Sequence, residues 1–243
     1  MARIKAKYGI DAPGVIRKLI IIGVVLYILG IFVLPRISAG VWLISLNWAM
    51  LYTGIFLIIE ALLMIWYSKY GKIKHRNRML ALYRFTGHER VLDIGAGKGL
   101  LAIGAAKRLT DGQVTAMDIW RAQDLSENSK SALMANARSE GVEDRIEVLS
   151  DDICTTGLPD NRFDLIVSNL CLHNISTAPK REEACKQILR LLKPGAVAII
   201  SDFRHTAAYS KVFIEGGAKV EKVGTFIFST FPALTVIKIT KPA

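Results

Sequence analysis

Cysteine is scarce in this sequence, and acidic residues are almost missing from its first third. The three cysteines, Cys154, Cys171 and Cys185, show no metal-ligand spacing, and their odd number cannot complete a disulfide framework. The pattern predicts small core residues in a reducing compartment. It predicts no metal site.

Residues 1–90 contain 3 Asp and Glu against 13 Lys and Arg, which gives a net charge of +10. Residues 91–243 contain 18 acidic and 19 basic residues, so the net charge of +11 resides almost entirely in the first third. A nucleic-acid-binding domain carries its basic charge on the folded domain itself. The near-neutral second part therefore argues against DNA or RNA as a partner.

Charge is also missing from two long apolar runs, over residues 19–35 and 37–59. A transmembrane helix needs about 17 to 25 such residues. The runs predict a membrane anchor over residues 1–68, with transmembrane helices at about 15–35 and 41–68. Aromatic residues cluster toward the ends of the second run, as an interfacial belt would: Trp42, Trp48, Trp66, Tyr67 and Tyr70.

The basic residues lie before the first run and after the second, with only Arg36 between them. The positive-inside rule then places both termini and the chain after residue 68 in the cytoplasm. We therefore expect a multi-pass membrane protein with a cytoplasmic domain. Residues 37–40, Ile-Ser-Ala-Gly, leave open the alternative of a cleaved signal peptide, but the second apolar run follows at once and favours a transmembrane hairpin.

Residues 69–88 begin with a basic stretch and continue with an apolar one. We interpret them as a juxtamembrane linker on anionic head groups, and a stop-transfer charge cluster is a compatible alternative. Glu60 is the one carboxylate near the second run. An intramembrane carboxylate indicates function by default, but its position about two turns from the basic end favours pairing with a lysine.

From Arg90 onward, apolar strands alternate with helical patterns, which is typical of a parallel sheet with crossover helices. The predicted strands are 90–95, 113–119, 146–150, 163–168 and 196–202. The predicted helices are 98–109, 126–140 and 179–192. The last two predicted strands, 219–228 and 232–240, indicate an antiparallel hairpin.

Glycine stands at every second position after the first predicted strand, in Asp93-Ile94-Gly95-Ala96-Gly97-Lys98-Gly99. Glycine lets the backbone turn tightly and come close to a ligand. The spacing misses the Gly-x-Gly-x-x-Gly fingerprint of a dinucleotide site, because Leu100 occupies the last glycine position. A carboxylate at Asp93 suits a ligand with a cationic amine better than a pyrophosphate.

Polar side chains follow the other predicted strands as well. Ligands of an open parallel sheet bind at the carboxyl ends of its strands. The residues at those ends are Asp93, Asp118, Asp151, Asp152, Asn169 and Asp202. One carboxylate at a strand end is often only a helix cap, but four of the five predicted strand ends carry one, which is hard to obtain by chance.

Residues 88–242 together resemble a class I S-adenosylmethionine-dependent methyltransferase. The glycine loop, Ala-Met-Asp, Asp-Asp-Ile-Cys, Leu-His-Asn and Leu-Leu-Lys-Pro-Gly carry the resemblance. It implies S-adenosylmethionine as the cofactor and a methyltransferase domain over residues 89–243. The implied fold is α/β, a doubly wound, mostly parallel seven-stranded Rossmann-like sheet with an antiparallel C-terminal hairpin, preceded by two transmembrane helices.

The resemblance also implies a role for each matching residue. Asp93 would lie near the amino group of the cofactor. Asn169 and Leu170 would face the methyl donor. Three glycines would admit the methionine and ribose portions of the cofactor: Gly95, Gly97 and Gly99.

The ribose and adenine contacts are implied farther along the chain. Asp118 would accept hydrogen bonds from both ribose hydroxyls, because a carboxylate suits a cis-diol, and Ile119 would pack on the adenine. Asp152 would accept a hydrogen bond from the adenine amino group, with the Ile153 N–H nearby. Asp151 is the alternative for that role.

Methyl transfer needs alignment and exclusion of water more than acid–base chemistry. Where the acceptor must lose a proton, His173 is the first candidate for the base, with packing or capping as its alternative role. His205 is the second candidate, and Asn169 completes the predicted catalytic set. Strand four ends in Ser-Asn-Leu-Cys rather than Asn/Asp-Pro-Pro-Tyr, which argues against an adenine amine or a glutamine amide as the acceptor.

The sequence thus predicts an integral-membrane methyltransferase. Its expected partners are the lipid bilayer and a hydrophobic small-molecule or lipid acceptor. Two alternatives stay open, namely methylation of a membrane protein and a non-catalytic, cofactor-bound membrane scaffold. An oligomer is compatible with the sequence, but Gly23 and Gly30 are seven residues apart and lack the four-residue spacing of close-packed helix pairs.

Overall fold

The computed structural model describes residues 6–33, 41–121 and 125–243. Its sheet consists of β1 (Arg90–Ile94), β2 (Gln113–Asp118), β3 (Ile146–Ser150), β4 (Phe163–Asn169), β5 (Leu192–Asp202), β6 (Lys219–Phe226) and β7 (Leu234–Thr240). The strand order is β3-β2-β1-β4-β5-β7-β6. The strands β1 to β5 pair in parallel, whereas β7 is antiparallel to both of its neighbours. This confirms the predicted Rossmann-like sheet with its antiparallel C-terminal hairpin.

The helices are α1 (Pro13–Ile28), α2 (Val41–Trp66), α3 (Lys72–Leu80), α4 (Leu100–Ala106), α5 (Lys130–Glu140), α6 (Ala178–Leu191) and α7 (Thr206–Glu215). Their ends carry the expected capping chemistry. The Ser129 hydroxyl accepts a hydrogen bond from the Ala132 N–H and begins α5, while Gly141 ends that helix in the left-handed conformation. Thr177 caps α6 in the same way, with a proline in its first turn.

The sheet separates two apolar layers, because successive strand residues point to opposite faces. On one face Val91 and Val114 are fully buried in a layer that includes α3, α4 and α5. On the other face Leu92 and Ile166 are fully buried in a layer that includes α6 and α7. Helices on both faces explain why the central strands are almost continuously apolar.

The helices α1 and α2 pack together as an antiparallel hairpin at their glycines. A Cβ on Gly54 would lie 2.7 Å from the Gly23 carbonyl oxygen and 2.8 Å from the Tyr27 nitrogen. Gly30 likewise faces the backbone of Leu51 at 3.2 Å. The seven-residue spacing of Gly23 and Gly30 therefore serves close packing inside the chain. The predicted end of the first helix at residue 35 lies outside the described residues.

The second apolar helix continues well beyond its predicted end at residue 68. A π-helical turn, Tyr67–Gly71, joins α2 directly to α3, so most of the predicted linker over residues 69–88 is helical. Leu80 is fully buried in the domain core, and it lies against Gly104 of α4. Basic residues mark this stretch as a linker in sequence, but the side of α3 that carries His75, Met79 and Leu80 is buried against the domain.

The segment of residues 6–12 also packs on the domain. Backbone groups of Lys7 exchange hydrogen bonds with the Asn136 side chain, at 2.8 and 3.1 Å. The Ile10 N–H donates to Ser126 Oγ at 2.9 Å. The Lys72 ammonium group donates to the carbonyl oxygens of Tyr8 and Gly9. These residues therefore connect the hairpin to the loop that follows β2.

Two elements of the C-terminal half differ from the sequence prediction. The strand β5 begins at Leu192 rather than residue 196. The Gly195 N–H donates to the Pro242 carbonyl oxygen and the Lys241 N–H donates to the Ala196 carbonyl oxygen, so pairing with the chain end extends the strand. The helix α7 is not predicted from the sequence. It forms because Tyr209 and Phe213, four residues apart, are both buried against the sheet.

Candidate functional site

The glycine loop lies between β1 and α4, at the carboxyl edge of the sheet. Gly95, Gly97 and Gly99 all have positive φ angles, which glycine adopts without steric cost. At Gly95 space is also limiting, because a Cβ there would lie 2.3 Å from Cys171 Sγ. The loop therefore requires glycine both for its backbone conformation and for close packing against the end of β4.

Asp93 is 1% exposed at the end of β1. Its Oδ2 atom accepts a hydrogen bond from the Ala102 N–H at 2.8 Å, which fixes the carboxylate to α4. Burial raises the pKa of Asp93 to about 7, the Ala102 hydrogen bond opposes this, and the charge of Asp118 adds to it. Asp93 is therefore a carboxyl group that a cationic ligand would ionise.

Asp118 ends β2, as predicted, and is 9% exposed. Its Oδ2 accepts a hydrogen bond from the Gly97 N–H at 2.8 Å, and its Oδ1 accepts one from the Trp120 N–H at 2.6 Å. A carboxylate oxygen has further acceptor sites. Ile119 is 46% exposed next to it, which leaves an apolar surface free to pack on a ligand.

The residues after β3 form a tight turn. Asp151 accepts hydrogen bonds from the Asp152 N–H at 2.8 Å and from the Thr156 hydroxyl at 2.6 Å. Asp152 is exposed and accepts a hydrogen bond from the Cys154 N–H at 2.9 Å. Ile153 is buried. Asp151 thus organises the turn, and Asp152 is the carboxylate that faces outward.

Asn169 and Leu170 lie where β4 ends. Leu170 has a left-handed backbone, with φ of 53°, and its N–H donates to the Ser201 carbonyl oxygen at 3.0 Å. Asn169 Oδ1 is buried and has no hydrogen-bond partner among the described residues. A buried amide oxygen without a partner is rare in folded proteins, so it indicates a place for a ligand group.

His173 forms a pair with Asp202 at the end of β5. The His173 Nδ1 atom lies 2.8 Å from Asp202 Oδ1, but the two atoms do not have the angles of a hydrogen bond. The His173 backbone N–H donates to Asp202 Oδ2 at 3.0 Å. Asp202 is fully buried, and the Phe203 ring packs edge-on against the imidazole at 4.6 Å. An imidazole beside a buried carboxylate is a candidate general base.

His205 does not join this pair. It is exposed at the first turn of α7, and its ring centroid lies 6.4 Å from that of Tyr209. The structure therefore gathers Asn169 and the His173–Asp202 pair at neighbouring strand ends and leaves His205 at the surface.

Two further buried residues reach the same edge, Tyr67 of the π-helical turn and His75 of α3, although their sequence surroundings do not mark them as site residues. Tyr67 is predicted to belong to an interfacial aromatic belt, but it is only 1% exposed, because α3 folds this helix end onto the domain. His75 is 1% exposed, and its Nε2 lies 2.8 Å from Ser201 Oγ. Since their contacts are made across more than a hundred residues of sequence, no local pattern could reveal them.

The carboxylates of this edge fit a cationic cofactor such as S-adenosylmethionine. Asp93 and Asp118 are close enough to interact electrostatically. In the part of the chain that the structure describes, neither of them pairs with a basic side chain. The lysine of the glycine loop, Lys98, is directed to Glu127 instead, at 2.8 Å. Two buried acidic groups without a countercharge favour binding of a positively charged ligand.

Residues 91–195 match the family profile described as "Methyltransferase domain". Over 115 residues the chain is 36% identical to a ubiquinone biosynthesis O-methyltransferase of Alkalilimnicola ehrlichii, covering 46% of this chain and 40% of that protein. Over 133 residues it is 33% identical to a ubiquinone/menaquinone biosynthesis C-methyltransferase of Pseudomonas fluorescens, covering 53% and 47%. The chain thus spans less than half the length of these relatives.

The fold is similar to that of solved structures. A SAM-dependent methyltransferase from Aquifex aeolicus superimposes with a TM-score of 0.54, over 68% of this chain and 88% of that protein. The sequence identity in this superposition is 18%, so the similarity is one of fold. The residues that match the family profile, 91–195, form part of this fold and include the glycine loop and Asp118.

Proposed function

We propose that this chain, which carries an S-adenosylmethionine-dependent methyltransferase domain, is a membrane-bound enzyme that methylates a hydrophobic small molecule. The observation that carries the proposal is that an exposed apolar hairpin continues directly to the catalytic edge, the carboxyl edge of the sheet where Asn169, His173 and Asp202 lie. The helix that leaves the hairpin continues into α3, whose buried side chains contact β5.

The hairpin has the dimensions and the surface of a membrane anchor. The helix α2 alone has 26 residues, which gives about 39 Å at ~1.5 Å per residue, against a hydrocarbon core of about 30 Å. Only 17% and 11% of the residues in the most apolar stretches of the two long helices are buried. The core helix of a soluble protein would bury most of such a stretch, so the lipid bilayer is the proposed partner.

The proposed topology places both termini and the methyltransferase domain in the cytoplasm. Gly23 packs against Gly54 in an antiparallel arrangement, so the hairpin has both of its basic ends on the same side. That side also carries the domain, because α3 docks on α4. This topology brings the carboxyl edge of the sheet close to the membrane surface.

A membrane-resident acceptor would explain why the domain is anchored. The two relatives described above are named for ubiquinone and menaquinone biosynthesis, and we extend the hydrophobic character of such an acceptor to this chain. The domain shares its fold with enzymes of many acceptors, so fold alone does not identify the substrate.

The residues of the site would divide the catalytic work between them. When bound, S-adenosylmethionine supplies an electrophilic methyl group on a sulfonium sulfur. Asp93 and Asp118 would hold the positive charge and the ribose hydroxyls. His173, which lies next to the Asp202 carboxylate in the turn after β4, would accept the proton that a hydroxyl acceptor loses, and its side chain is 16% exposed. Burial of this edge would exclude water from the reaction.

The proposal can be tested by following a radioactive methyl group. Full-length protein in lipid nanodiscs receives methyl-labelled S-adenosylmethionine together with either a membrane extract or a soluble extract. We expect label in the organic phase of the membrane extract, and none with Asp118→Ala. Label found only in protein would favour the membrane-protein acceptor, and label confined to the soluble extract would refute the proposal.

A further inference from the structure

The junction between the hairpin and the domain places a tyrosine at the catalytic edge. Tyr67 is the first residue of the π-helical turn between α2 and α3, and such turns occur often at functional sites. Gly71 provides the space for its ring, since a Cβ at that position would lie 2.6 Å from Tyr67 Cδ2. The side chain is therefore held in one position, 1% exposed.

The Tyr67 hydroxyl lies within reach of the Asn169 side chain, and the charge of the Asp11 carboxylate acts on it from nearby. Neither this hydroxyl nor Asn169 Oδ1 has a hydrogen bond of good geometry within the described residues. A buried polar group without a partner costs about 1–3 kcal/mol. Two such groups side by side at the end of β4 indicate a bound molecule that satisfies both.

The hydroxyl is not needed to hold the helix in place, because the neighbouring residues do so. Ser68 Oγ donates to Asp11 Oδ2 and accepts from the Asp11 N–H, both at 3.1 Å. Lys72 Nζ lies 3.4 Å from Asp11 Oδ1 and donates to the Gly9 carbonyl oxygen at 2.7 Å. The structural contacts of this turn are thus complete without the Tyr67 hydroxyl.

We propose that Tyr67 binds the methyl acceptor, its hydroxyl donating a hydrogen bond to an oxygen on the acceptor's head group opposite Asn169. The proposal rests on the methyltransferase function proposed above and specifies the substrate class. It implies an amphiphilic acceptor with a hydroxyl group on its head, which can accept from the Tyr67 hydroxyl and donate to Asn169 Oδ1. It also means that the hairpin contributes a side chain to the site as well as anchoring the domain.

The test compares Tyr67→Phe with Tyr70→Phe in the full chain. Tyr70 lies one turn further on and is 66% exposed, so it controls for the loss of a hydroxyl from the same segment. Decylhydroquinone serves as the probe, since it has an oxygen-bearing head and an apolar tail. Its Kd is measured by calorimetry in nanodiscs in the presence of S-adenosylhomocysteine, and its KM is measured where it is methylated.

We expect Tyr67→Phe to raise the Kd and the KM of the probe about tenfold, as the loss of a ~1.4 kcal/mol hydrogen bond predicts. The Kd of S-adenosylmethionine should stay unchanged. The unfolding temperature of the ligand-free protein should rise, because Tyr67→Phe removes a buried hydroxyl without a partner. Tyr70→Phe should equal the wild type in every measurement. A purely structural role would instead lower the unfolding temperature and weaken both ligands.

Each remaining outcome separates the two proposals. Equal probe Kd values in the wild type and in Tyr67→Phe would overturn the assignment of Tyr67 and leave the methyltransferase function standing. Probe binding without methyl transfer to a component of either extract would contradict the proposed function. The ratio of the probe Kd values of Tyr67→Phe and the wild type would still decide the role of Tyr67. Absence of probe binding by the wild type would refute the oxygen-headed acceptor class.

Discussion

The buried carboxyl group of Asp93 makes cofactor affinity depend on pH. The side chain is 1% exposed, and its pKa is raised from an ordinary value of 3.8 to about 7. The folded, ligand-free protein therefore binds a proton here at pH 6 that a cationic ligand would displace. We predict that S-adenosylmethionine binding releases this proton below pH 7.

The magnitude follows from the two pKa values. Each pH unit below 7 should raise the Kd of S-adenosylmethionine about tenfold, because only the ionised fraction of Asp93 is ready to bind a cation. The same raised pKa means that this group stabilises the ligand-free fold most below pH 4 and that the contribution is lost as the pH rises through 7. Ionised Asp93 then costs the ligand-free fold roughly 4 kcal/mol at ~1.4 kcal/mol per pH unit.

Calorimetry between pH 5.5 and 7 in two buffers of different ionisation enthalpy measures both the Kd and the protons released. Asp93→Asn is the control. It should bind S-adenosylmethionine weakly with a Kd that is independent of pH in this range, and its unfolding temperature at pH 8 should exceed that of the wild type. A wild-type Kd that stays constant from pH 5.5 to 7 would refute the reasoning.

Three further predictions test the packing and the base. Gly54→Val should destabilise the detergent-solubilised protein by about 1–3 kcal/mol, because a Cβ would lie 2.7 Å from a backbone oxygen. Gly14→Ala, with no atom within 4 Å, should be neutral in the same thermal unfolding assay, and equal melting of the two would contradict the hairpin packing. Leu80→Ala should cost about 2–5 kcal/mol and Leu62→Ala, which is 57% exposed, should cost little, so similar losses in denaturant titrations would argue against docking of α3. Asp202→Asn should lower kcat about 100-fold with an unchanged Kd for S-adenosylmethionine, and an unaffected kcat would remove the base from the mechanism.

The sheet could be predicted from sequence because its signals are local. Short apolar runs separated by glycine and proline locate each strand, and β3 spans the predicted residues 146–150. The antiparallel hairpin at the end follows from two strand patterns close together. The helix α7 is not predicted although six of its ten residues are apolar, because Tyr209 and Phe213 become a buried helical face only when the sheet is there to cover them.

The carboxylates at the strand ends could also be predicted, whereas the buried residues that α3 and the turn before it bring to the sheet could not. Asp93 and Asp118 lie directly at strand ends, so knowing the strands is enough to locate them. Tyr67 and His75 reach the edge only through the long-range packing of α3 on the domain. Their sequence surroundings are basic and apolar, which predicts a membrane interface rather than a place at the end of the sheet. The structure locates these side chains, while the predicted roles of all the site residues in cofactor binding and catalysis stay predictions.

The most direct test of the central claim is the binding of S-adenosylmethionine to the full-length, detergent-purified protein. Calorimetry should show one site per chain. Binding should be lost in Asp118→Ala, because this variant lacks the carboxylate that accepts the Gly97 N–H and holds the glycine loop. Binding of a nicotinamide dinucleotide in place of S-adenosylmethionine would contradict the account.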